Sequence, residues 1–154
     1  MKRVAEIKPA GAWNAAAAVD SIVLDAQDRR RRRVVFVGEQ GATYLLDLPR
    51  SAQLRDGDGL LLEDGSLVRV TGKPEPLVEI AASSAHELAR IAWHLGNRHT
   101  EVQIVGDTLR IRHDHVLEEM LRGLGARLTQ IDAAFEPEAG AYGHHHEHER
   151  RHHG

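Results

Sequence analysis

The chain has 154 residues, no cysteine, a net charge of −3 and only 4 % aromatic side chains. This length allows one or two small domains with cores of Leu, Val, Ile and Ala. The lack of cysteine excludes a disulfide framework, a thiolate zinc site and an iron–sulfur centre, and the near-neutral balance argues against a polyanion binder.

From Met1 to Pro9 there is no apolar h-region, and no run approaches the roughly 18 apolar residues of a membrane span. A cytoplasmic protein that does not enter the membrane is therefore expected. The first half reads as β. Residues 21–24 are a short apolar run. Arg29 to Arg33 are five consecutive arginines ahead of Val34-Val35-Phe36-Val37. They read as a solvated turn or strand start, or a contact for an acidic protein partner; with no interleaved aromatics they do not make a nucleic-acid site. Residues 38–41 form a turn, 43–48 a return strand closed by Pro49, and Asp56-Gly57-Asp58-Gly59 a second turn. Residues 60–63 and 66–70 pair across Asp64-Gly65. These short strands predict a small antiparallel sheet or barrel-like unit.

Gly72-Lys73-Pro74-Glu75-Pro76 marks a domain boundary, because two prolines in three residues fix φ and remove donors. Beyond it, 77–81 reads as a strand. Ser84-Ala85-His86-Glu87 fits a capping box, followed by Leu88, Ile91, Ala92 and Leu95 at helical spacing, with His86 on the exposed face. Gly96-Asn97 is the expected stop. Strands over 102–105 and 109–111 join at Gly106-Asp107. Asp114 caps a second helix carrying Leu117, Met120, Leu121 and Leu124. Gly125 ends it, and 126–131 is the last strand. The order β-α-β-β-α-β predicts a ferredoxin-like unit. The fold class is thus α+β: a small β-rich domain over 1–74, a ferredoxin-like domain over 75–135, and a polar, His-rich tail over 136–154, expected to be disordered without metal.

Histidine placement carries the chemistry. Six of the eleven histidines, His144, His145, His146, His148, His152 and His153, fall in the last eleven residues. Neutral imidazole binds Ni, Cu, Zn and Co without any thiolate. A purification tag would be an unbroken run of six; Glu147, Glu149, Arg150 and Arg151 interrupt this one, which favours native metal binding. His94 and His99 flank the end of the first helix, and His113 and His115 flank Asp114. Spacing alone leaves both pairs open between ordinary surface residues and ligands. No His-Glu-x-x-His zinc-protease motif, P-loop or Gly-x-Ser-x-Gly elbow is present, and no general base stands out for a metal-dependent hydrolase. The chain is not expected to be an enzyme.

From Trp93 to the tail several motifs occur in order: His94 to His99, ending in Gly96-Asn97-Arg98-His99; Val102-Gln103-Ile104; Asp114-His115-Val116-Leu117-Glu118-Glu119-Met120-Leu121; Leu124-Gly125; and Phe135-Glu136-Pro137-Glu138-Ala139-Gly140-Ala141-Tyr142-Gly143 before the histidines. With Leu48-Pro49-Arg50, Leu54-Arg55-Asp56-Gly57-Asp58 and Glu63-Asp64-Gly65 upstream, the chain resembles the UreE family of urease accessory nickel chaperones. It departs from that pattern at Ser51, where glycine is usual, and at Lys73-Pro74. The resemblance implies an N-terminal domain that contacts protein partners and a C-terminal metal domain that forms a homodimer, or a dimer of dimers with metal. It also implies that His99 binds nickel at the dimer axis, that His113 and His115 match a secondary site, and that the tail histidines assist uptake. The expected function is capture of Ni2+ and its delivery to apo-urease, with a urease accessory GTPase as a further partner. Zn2+ or Cu2+ is expected to bind in vitro. The competing expectation is a nickel or zinc buffer or storage protein using the tail.

Overall fold

The computed structural model describes residues 1–139. It divides into two compact units, Met1–Lys73 and Pro74–Ala139. No helix among the described residues is long and apolar enough to cross a membrane.

The first unit is a six-stranded sheet: β1 (Lys2–Lys8), β2 (Ala18–Leu24), β3 (Arg33–Val37), β4 (Thr43–Asp47), β5 (Gly59–Leu62) and β6 (Leu67–Gly72). The order is β2-β6-β5-β1-β4-β3. Its core holds Ile22, Leu24, Phe36, Tyr44, Leu46, Leu54, Leu60, Leu62, Val68 and Val70. Two features correct the sequence reading. Lys2–Lys8 is a strand, because it inserts between β4 and β5 and so takes hydrogen bonds on both edges. The sheet is also mixed rather than antiparallel, since β1 runs parallel to β4 and β2 parallel to β6. Hairpin turns report only the pairing of chain neighbours, whereas these two pairs join strands far apart in sequence.

The arginine run divides in the same way. Arg32 and Arg33 are exposed. Arg29 is fully buried, donating from Nε to the Leu24 carbonyl at 3.2 Å and from Nη1 to that of Leu54 at 3.3 Å. Charge-assisted bonds to main-chain oxygens offset part of the cost of taking a guanidinium out of water.

The second unit is mixed α+β. β7 (Pro74–Ala81), β8 (Gln103–Val105), β9 (Thr108–Arg112) and β10 (Arg127–Ala134) form a sheet in the order β10-β7-β9-β8, every pair antiparallel. Pro74 and Pro76 sit in β7 without breaking its ladder to β10. The Pro76 carbonyl accepts from His113 N–H on the opposite side, so the missing donors face away from β10. α1 (Ala85–Asn97) and α2 (His115–Gly123) complete the unit. Ile91 and Leu95 of α1 and Leu121 of α2 pack with Val78, Ile80, Leu109 and Ile111 of the sheet. Their spacing is the helical period seen in the sequence.

The expected caps are present in part. Ser84 Oγ accepts from Glu87 N–H at 3.1 Å, and Asp114 Oδ1 from Leu117 N–H at 3.0 Å. The Glu87 carboxylate turns to Arg90 instead of closing a capping box, because an i,i+3 arginine offers it a charged partner.

Beyond β10, main-chain donors hold the polar segment. Phe135 is fully buried with the Arg112 guanidinium 4.7 Å from its ring centre. Glu136 N–H then donates to Gln103 Oε1 at 3.1 Å, and Glu138 N–H to the Val102 carbonyl at 2.7 Å. The chain thus passes from the β10 edge of the sheet to the opposite, β8 edge.

Candidate metal centre

α1 ends at Asn97, where Gly96-Asn97 led one to expect, with Arg98 as its C-cap and His99 the first residue beyond. Thr100 N–H bonds back to the Leu95 carbonyl and His99 N–H to that of Gly96, each at 3.0 Å. This is the Schellman arrangement, in which the residue past the C-cap takes left-handed φ and is usually glycine. His99 has φ 58° and is the only non-glycine with positive φ among the described residues. α2 ends in the same way. There Gly125, at φ 85°, occupies the equivalent place, with Ala126 N–H bonded to Leu121 O and Gly125 N–H to Arg122 O. Two helices of one unit thus use one terminus, once with glycine and once with histidine. A Cβ in this region costs about 1–2 kcal/mol. At His99 the fold tolerates that cost to hold an exposed imidazole at a helix end.

His94 lies one turn earlier, partly buried. The exposed ring of Trp93 packs edge-on against it, with centroids 5.1 Å apart.

His113 and His115 flank the α2 N-cap, and both are exposed. His113 is closely held. Its Nδ1 lies 2.5 Å from Glu118 Oε2, and its Nε2 lies 3.2 Å from Gln130 Nε2 on β10. Glu118 is buried, and the same Oε2 accepts Asp114 N–H at 3.0 Å. Sequence reasoning missed Glu118 and Gln130. Glu118 stands one place beyond the capping-box position, and Gln130 reaches His113 only through the sheet.

Among the described residues no group of three or more His, Cys, Asp or Glu is placed to hold a metal ion. His99 is not brought together with His113 or His115 into such a group. His144, His145, His146, His148, His152 and His153 lie outside the described residues.

Comparison with known proteins covers both units. The N-terminal domain of the UreE urease accessory protein matches residues 2–72, and its C-terminal domain matches residues 75–154. The chain is similar to the urease accessory protein UreE of Rhodopseudomonas palustris strain BisB18, with 54 % identity over 142 residues, covering 92 % of this chain and 67 % of the relative. It is 55 % identical over 130 residues to that of Bradyrhizobium sp. strain BTAi1, covering 84 % of this chain and 63 % of the relative. The Beijerinckia indica protein is 49 % identical over 142 residues, with 92 % of this chain and 82 % of the relative covered. The chain spans about 60–67 % of the length of several of these relatives. With both halves matched, the chain belongs to the UreE urease accessory protein family, a family of accessory proteins rather than enzymes.

Proposed function

We propose that this chain is a cytoplasmic nickel metallochaperone. It captures Ni2+ and delivers it to apo-urease during assembly of the urease active site, with the ion shared between His99 of two copies. The observation that carries the reading is the left-handed backbone at His99, a strained position that its sister helix gives to glycine. One exposed imidazole per copy is an incomplete ligand shell. Two copies related by a two-fold axis supply a pair of borderline nitrogen ligands, which suit Ni2+ and leave positions open for exchange. An ion held this loosely can be surrendered to an acceptor. Zn2+ and Cu2+ suit the same nitrogen donors and compete in vitro.

The strand order β10-β7-β9-β8, with a helix after β7 and another after β9, supports reading 75–135 as a ferredoxin-like metal domain. On the same reading, 1–74 is the domain that meets the accessory GTPase and apo-urease, and 136–154 is the metal-collecting tail. A homodimer, or a dimer of dimers when metal is bound, brings the His99 pairs together.

The anchored segment after β10 supports a role for His144, His145, His146, His148, His152 and His153 in feeding that site. Glu138 is bound to Val102, three residues from His99 and so at most about 11 Å of chain away. From Glu138 to His144 the chain spans up to roughly 20 Å. Tethering of this kind raises the effective concentration of the tail imidazoles near His99 to about millimolar. His113 and His115 form a secondary site in this reading.

Transfer to apo-urease at limiting nickel tests the function. The full chain is expected to speed activation, and a chain ending at Ala139 to activate more slowly while keeping the His99 site. If the full chain instead suppresses activation by withholding nickel, it is a buffer or storage protein and the proposal is wrong.

A further inference from the structure

The contacts of His113 suit a ring protonated at Nδ1 with Nε2 free. Glu118 Oε2 already accepts the Asp114 N–H, so this buried carboxylate oxygen serves as an acceptor, and the hydrogen shared with His113 belongs to Nδ1. Nε2 of a neutral ring then holds the lone pair. The Gln130 amide nitrogen, a donor, faces that atom at 3.2 Å.

We propose that Glu118 and Gln130 are positioning residues that prepare His113 to bind a divalent cation through Nε2. This rests on reading His113 as a metal ligand. Glu118 fixes the ring plane, selects the Nδ1–H form and makes the ring a better donor. A carboxylate behind the non-ligating nitrogen does this at many metal-bound histidines. Gln130 occupies the lone pair of the empty ring. A cation arriving at Nε2 displaces one amide N–H, and the exposed glutamine turns to water. The two residues therefore act in opposite directions. Glu118 strengthens binding at His113, and Gln130 weakens it by one competing hydrogen bond.

The surroundings fit this division of labour. Glu118 is buried and shares its second oxygen only distantly with Arg122, at 3.8 Å, so its charge is directed chiefly at His113 and the α2 N-terminus. His113 and Gln130 lie at the surface, where a hydrated cation can reach them. His115 is exposed two residues along and is the nearest further imidazole in sequence.

Long-range 1H–15N spectra of imidazole rings in the full-length chain, recorded without metal and during titration with Zn2+ as a diamagnetic probe, test the proposal. His113 is expected to be the Nδ1–H form before metal is added, and Zn2+ is expected to shift Nε2 and leave Nδ1 protonated. Glu118→Ala should release the ring to the other tautomer and weaken Zn2+ at His113 by about 10–100-fold. Gln130→Ala, a surface change that spares the helix cap, should tighten it by about 2–10-fold, the worth of one ordinary hydrogen bond. An Nε2–H ring in the metal-free protein, attachment of Zn2+ to Nδ1, or a Gln130→Ala variant that binds no better overturns the proposal. An Nδ1–H ring that Zn2+ never shifts overturns the underlying reading of His113 as a ligand, and leaves Glu118 as a helix cap.

Discussion

Replacing His99 by alanine is expected to weaken the tightest Ni2+ site by about 100-fold or more while leaving weaker tail sites measurable. Removing a ligand should exceed the 10–100-fold typical of losing an outer-shell partner. On the proposed reading the substitution also acts twice, because the ion is shared between two copies. Glycine at the same place separates binding from folding. His99→Gly loses the site as completely as alanine does, yet it relieves the left-handed strain that both His99 and an alanine bear. The metal-free second unit should gain about 1 kcal/mol over wild type. That is a rise of about 4–8 °C in melting midpoint for a unit of this size. Calorimetric nickel titration together with thermal melts of the three proteins checks both halves. If glycine melts no higher than alanine, the strain argument is wrong. An unchanged tightest site in both variants removes His99 from the metal centre.

A second large effect belongs to the first unit. Asp20 is buried with no cation among its bonded partners. Its Oδ2 accepts the Tyr44 hydroxyl at 2.5 Å, and its Oδ1 accepts the main-chain N–H groups of Ser21 at 2.8 Å and Gln40 at 3.1 Å. It thereby ties the turn after β3 to β2. Gly38 lines the same pocket, where a Cβ would collide with the carboxylate. Asp20→Ala orphans several donors at once and should cost about 3–5 kcal/mol in denaturant unfolding. Nickel affinity at His99 should be unchanged.

The same contact shapes the pH dependence. Burial pushes the Asp20 carboxyl upward, but the Tyr44 hydroxyl and the N–H groups of Gln40, Ser21 and Glu39 outweigh it, so it titrates below its ordinary 3.8. Its contribution is complete above 3.8 and is lost as the pH falls through the folded value. Burial and the Asp20 hydrogen bond together push Tyr44 up to about 12. That stabilisation is complete below pH 10 and is lost as the pH rises toward 12. Asp20→Asn should flatten the acid limb of the stability profile; an acid limb as steep as that of wild type would contradict the assignment.

The second unit was legible in the sequence because its signals are local. Ser84 and Asp114 cap where expected, and the apolar period of each helix faces the sheet. The first unit was legible only where a turn joins neighbours. Lys2–Lys8 carries too many charged residues to read as a strand until β4 and β5 are seen on either side. Arg29 looked like one of five equivalent surface cations, because nothing local reveals that the Leu24 and Leu54 carbonyls converge on it.

In the candidate metal centre, the Gly-Asn-Arg-His motif pointed to His99 and Gly96-Asn97 marked the helix end, but neither revealed the left-handed backbone at His99. Rules for helix ends expect glycine at that place, so a histidine there carries no local signal. Glu118 and Gln130 escaped for a different reason, since each becomes informative only through its contact with His113.

A nickel-loaded crystal structure of the full chain tests the central claim most directly. The account predicts one Ni2+ on a two-fold axis, bound by the His99 imidazoles of two copies. A monomer that carries nickel with His99 turned away from the ion would contradict it.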